Sequence, residues 1–131
     1  MTRGAWRAAD IFMLVVFLLS AVVQFDDPDP LPWIAVYGLA AGLCAASLAG
    51  RGSRVATVLV MLMALAAAAP LAPRVLGRAG IGDVFGSMKA TDPLVEETRE
   101  LLGLLIVAAW MAVLAWRGRA AQPRPDPRGE K

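Results

Sequence analysis

The chain has 131 residues, 58% of them hydrophobic, and a formal net charge of +2, so little is left over for a separate soluble domain. It has no His and one cysteine, Cys44, inside an apolar segment, which excludes an intrachain disulfide, a Cys/His metal cage and His-based catalysis. The basic excess lies beside apolar segments and in the C-terminal tail, without interleaved aromatics, so no nucleic-acid surface is expected.

Four apolar segments follow in order, at about 6–25, 31–50, 55–76 and 94–117. Each is close to the ~20 residues that a helix needs to cross ~30 Å of hydrocarbon. The fold class is therefore all-α, an antiparallel four-helix transmembrane bundle over residues 1–120, with a disordered Pro/Arg-rich tail at 121–131. A rival reading takes residues 1–21 as a cleaved signal peptide, but the apolar run continues through Val22, Val23 and Phe25.

In the first segment, Asp10, Met13, Phe17, Ser20 and Gln24 recur at spacings of three and four, which lays a polar stripe toward the bundle. Arg7 stands one turn before Asp10, and an interfacial ion pair between them is expected rather than a buried functional acid. The loop Asp26-Asp27-Pro28-Asp29-Pro30 is short and stiff, forcing the first two segments into a hairpin. In the second segment Gly38 and Gly42, followed by Ala45, Ala46 and Ala49, form a small-residue ridge for close helix packing, within the chain or in a homodimer. That segment is expected to be central. Trp33 and Tyr37 near its start suit the headgroup level, as anchors or as binding aromatics.

The third segment is nearly all Ala, Leu, Val and Met until Pro70 and Pro73, which should kink or end it. The glycines of the connector at 77–86 form no phosphate loop, since no Lys-Ser/Thr follows, and no cofactor is expected. Asp92 and Pro93 read as an N-cap and first-turn pair. The last helix then carries Glu96, Glu100, Gly103, Val107 and Trp110 on one stripe, with Glu97 and Arg99 beside it. Gly103 is expected to admit a neighbouring helix, and the acids alone read as a capped, solvated helix start.

Lys and Arg divide 9 to 4 between the side holding the N-terminus, the second loop and the tail and the opposite side, which predicts cytoplasmic termini. This predicts a multi-pass cell-membrane protein, read as one of a bacterial inner membrane. The acids are distributed the other way: Asp26, Asp27, Asp29, Asp83, Asp92, Glu96, Glu97 and Glu100 lie on the outer side.

The run Gln24-Phe25-Asp26-Asp27-Pro28-Asp29, the aromatics Trp33 and Tyr37, and the run Glu96-Glu97-Thr98-Arg99-Glu100-Leu101-Leu102-Gly103 leading to Trp110 together resemble the transmembrane protein 220 family. The family pattern has Asn where this chain has Asp26. The resemblance implies a small polytopic membrane protein and supplies no reaction. It places Gln24, Asp26, Asp27, Asp29, Glu96, Arg99 and Glu100 at the outer helix ends, as one polar cluster at the non-cytoplasmic boundary. The expected function is a non-catalytic accessory or scaffold protein, in contact with the bilayer and with a membrane protein partner or a second copy. The alternative is cation or proton binding by that carboxylate cluster, with no particular metal implied. No catalytic residue is expected, because no Ser or Cys has a recognisable base partner.

Overall fold

The computed structural model describes residues 2–76 and 93–121. The regular structure in these residues is helical: α1 (Arg3–Val23), a 3-10 turn (Gln24–Asp26), α2 (Pro30–Leu48), α3 (Arg54–Ala68), α4 (Leu71–Leu76) and α5 (Pro93–Ala121). Three stretches, Arg3–Asp26, Pro30–Leu48 and Glu96–Gly118, are long and apolar enough to cross a membrane, whereas Arg54–Ala68 is a shorter apolar helix. The third apolar segment, 55–76, is thus interrupted at the prolines that are expected to kink or end it. Pro70 removes a backbone donor and ends α3 in a turn, while Pro73 falls in the first turn of α4, where a missing N–H costs nothing. The connector at 77–86, the Asp92 cap and the tail after Ala121 lie outside the described residues.

Local chemistry accounts for the helix ends. Thr2 caps α1 by accepting from the Ala5 N–H at 3.2 Å, and Ser53 caps α3 by accepting from the Ala56 N–H at 3.2 Å. Between α1 and α2 the Asp27 carboxylate accepts from the Asp29 N–H at 3.0 Å, and Pro30 opens α2 at the position that needs no donor. The far end of α2 closes in a Schellman turn. Gly50 takes φ +72°, its N–H donates to the Ser47 carbonyl at 3.1 Å, and the Arg51 N–H donates to the Ala46 carbonyl at 2.8 Å.

Packing runs chiefly in two pairs, α1 on α2 and α3 on α5, with lesser contact of α2 with α3 and α5 and of α4 with α5. The second segment has the central place expected of it: α2 touches α1, α3 and α5 and links the two pairs. In its most apolar window α5 is 33% buried, against 28% for α2 and 17% for α1. Its inward residues Leu101, Leu104, Val107, Ala108, Met111 and Leu114 meet Val36, Tyr37, Ala40, Ala41 and Cys44 of α2 and Val60, Ala64 and Ala68 of α3. Among the described residues no backbone contact joins α1 to α5. Those two helices face each other across a gap that side chains close at both ends.

Gly38 and Gly42 do not pack inside the chain. A Cβ built on either meets nothing within 4 Å. The buried ridge of α2 runs instead through Val36, Ala40 and Cys44 and through Tyr37 and Ala41, so the glycines are turned about 100° away from the latter pair. Gly103 behaves as expected of a close approach, although to a side chain: an added Cβ would run into the Tyr37 hydroxyl, with Cζ of that ring at 3.1 Å.

Candidate functional site

The short 27–29 loop and the first turns of α5 converge at one end of the bundle. A cavity of about 820 Å³ opens there between α1 and α5. Six of the seven polar residues picked out from the sequence line it: Gln24, Asp26, Asp27, Glu96, Arg99 and Glu100. Asp29 does not; only its backbone N–H takes part, by holding the Asp27 side chain. One carboxylate oxygen from each of Asp27, Glu96 and Glu100 lies within 4.8 Å of the others. Asp27 and Glu100 are half-buried, and Glu96 is exposed.

The electrostatics of that arrangement are one-sided. Two unit charges 4.8 Å apart repel by about 1 kcal/mol in water and roughly 3.5 kcal/mol at an effective dielectric of 20. Four carboxylates border the cavity against the single guanidinium of Arg99. Oxygen donors from separate elements at this separation are what a hard cation such as calcium takes, and the alternative for such a group is to share protons.

Trp33 and Tyr37 form the apolar wall of the same cavity. Anchors or binding aromatics are the two roles expected of them, and the structure places both rings toward the bundle: Tyr37 is buried against Gly103, and Trp33 is half-buried on the core.

The opposite end is built differently. Asp10, on the same stripe as Phe17, is 1% exposed. Arg117 from the end of α5 grips it with two hydrogen bonds, Nη1 donating to Oδ1 at 2.7 Å and Nη2 to Oδ2 at 3.1 Å. The guanidinium also lies 4.2 Å from the centroid of the Trp6 ring. This corrects the expected Arg7–Asp10 pair: Arg7 is exposed, and the buried carboxylate is instead held by the less exposed Arg117. The sequence signal for Arg117 was present, since the buried stripe through Asp10 demands a cation and Arg117 ends the last apolar run, but their separation of 107 residues hides it. Sequence reasoning also missed Arg74, which meets Glu97 at 3.6 Å and ties α4 to α5.

The two charged ends fix helix directions. The start of α5 meets the end of α1 at the carboxylates, and its end meets the start of α1 at Arg117, so α5 runs antiparallel to α1. Arg74 beside Glu97 likewise sets α4 against the start of α5.

Comparison with known proteins agrees with this architecture. The family model described as "Transmembrane family 220, helix" matches residues 16–116. Transmembrane protein 220 of Xenopus laevis is 31% identical over 106 residues, covering 81% of this chain and 56% of that protein, so the chain spans about half the length of this curated relative. No solved structure matches the chain. Both boundary motifs, the aromatic pair and Gly103 fall inside the matched region, and this multi-pass membrane protein belongs to transmembrane family 220.

Proposed function

We propose that the chain is a non-catalytic accessory membrane protein whose carboxylate cavity takes a divalent cation, which fastens the 27–29 loop to α5. The carrying observation is the approach of Asp27, Glu96 and Glu100 oxygens to within 4.8 Å in a cavity where the α1 and α5 backbones do not meet. A non-catalytic role is supported by two of the described hydroxyls, since Ser20 and Thr57 donate to the Val16 and Ser53 carbonyls at 2.8 Å, and by a sequence with no His to act as their base. In this reading α3, the turn and α4 together make the fourth crossing, and the 9 to 4 division of Lys and Arg puts both termini in the cytoplasm. The cation site then faces away from the cytoplasm.

The full chain in detergent, stripped of cations, is titrated with Ca²⁺ and with Mn²⁺ while thermal unfolding and the Mn²⁺ spectrum are followed. A saturable rise in Tm that Glu96→Gln with Glu100→Gln abolishes supports the reading. No binding of either ion at millimolar concentration overturns it. Alkaline phosphatase fused after Lys131 is inactive in a bacterial host if the orientation is right and active if it is wrong.

A second reading, a partner helix or a second copy of the chain seated on α2, is favoured by the open space over Gly38 and Gly42. Cysteines placed at those positions crosslink in the membrane if two copies meet there.

A further inference from the structure

The end of the bundle opposite the carboxylates carries a second cleft, of about 860 Å³, bordered by Arg3 and Arg7 of α1, Arg54 of α3, and the Asp10–Arg117 pair. Four guanidinium groups face one carboxylate, and that carboxylate is already held by Arg117 through two hydrogen bonds. Three cations are thus left around one concavity without an acid among its lining residues to answer them. Trp6 and Trp116 add flat apolar walls, and the cleft sits where α1 starts and α5 ends, at the boundary of the apolar spans.

We propose that this cleft binds a phosphate-bearing anion, and that its natural source is the headgroup of an anionic phospholipid. Guanidinium groups match phosphate oxygens in a planar, two-pronged geometry that ammonium groups lack. The helices α1 and α3 begin here while α2 and α5 end here, so the helix dipoles largely offset one another and the positive charge of the cleft is that of its arginines. Flanking arginines that only orient a membrane protein need not converge, and Arg51 does not: it lies in the adjoining turn but outside the cleft. Arg3, Arg7 and Arg54 come from two helices to one cavity of a size that holds small ligands. The tryptophans suit the headgroup and first-methylene level of a lipid bound there.

The test uses the full chain in a zwitterionic detergent. Short-chain phosphatidylglycerol, short-chain phosphatidylcholine and inorganic phosphate are titrated separately, with tryptophan emission and thermal unfolding as readouts. Phosphatidylglycerol gives a saturable response and phosphatidylcholine none. Arg3→Gln with Arg7→Gln and Arg54→Gln weakens binding roughly 100-fold, at a contribution near that of one surface cation per arginine. Arg54→Gln alone, which disturbs the fold least, weakens it about 5-fold. Arg51→Gln leaves it unchanged. If inorganic phosphate competes as well as the lipid, the phosphate chemistry stands and a soluble anion becomes its source; a response to the lipid alone assigns it to the membrane. No saturable response to either probe, or equal weakening by Arg51→Gln, overturns the proposal.

Discussion

The two ends of the gap between α1 and α5 solve the same problem with opposite chemistry. At one end Asp10 and Arg117 are complementary, buried and doubly hydrogen-bonded, so the closure is complete within the chain. At the other, Asp27, Glu96 and Glu100 bring like charges together, and with Asp26 they outnumber the one guanidinium, that of Arg99, which borders the same cavity. A complementary pair explains itself as structure, whereas an excess of like charge offers a place for a proton or a cation. Eight substitutions test that contrast.

The largest effect is expected at the complementary end. Asp10→Ala strands Arg117, whose side chain is 20% exposed, and Arg117→Ala strands a carboxylate that is 2% exposed. The latter should cost ~3–5 kcal/mol and the former less, because the freed guanidinium can reach water. Chemical unfolding in detergent measures both. The double variant should lose less than the two singles together, and strict additivity would show that the pair is not coupled.

Next comes the wall of the carboxylate cavity. Gly103→Ala drives a methyl group into the Tyr37 hydroxyl and should cost ~1–3 kcal/mol. Adding Tyr37→Phe should recover part of that loss, since Cζ stays at 3.1 Å after the hydroxyl is gone. Gly38→Ala and Gly42→Ala meet open space, and should be neutral or slightly stabilising in the same unfolding assay.

At the like-charged end the sign should reverse with conditions. Glu100→Gln removes one repelling charge and should stabilise the cation-free protein by ~1 kcal/mol. It should destabilise the protein relative to wild type in saturating Ca²⁺. Tm measured with chelator and with Ca²⁺ checks the crossing, and its absence would leave the cluster without a cation. The smallest effect is at Arg74, 62% exposed and 3.6 Å from Glu97. Arg74→Ala should change stability by ~0–1 kcal/mol, and less in high salt.

Much of this organisation is legible along the chain because it is local. Hydropathy marks the apolar segments, Pro30 and the Asp27 turn set the first hairpin, and the spacing of Asp10 and Phe17 shows which stripe of α1 turns inward. Two motifs separated by about seventy residues, each rich in acids, announced the two halves of the outer cavity, and the structure brings Asp27 to Glu96 and Glu100. Small-residue spacing was a poorer guide. Gly38 and Gly42 have the same interval as Ala40 and Cys44, and interval alone cannot say which of two adjacent stripes faces the neighbour.

The sequence by itself determined membrane residence, the all-helical class, the places where helices start and break, and the segregation of charge to the two ends. Each follows from composition, period or turn chemistry within a few residues, and in lipid an apolar segment of ~20 residues satisfies its own backbone polar groups as a helix. Only the tertiary structure decided that Arg117 and not Arg7 answers Asp10, that Tyr37 fills the notch at Gly103, and that three arginines converge on one cleft. Those choices depend on the rotation and depth of one helix against another, which the summed fit of many side chains sets and no local pattern encodes.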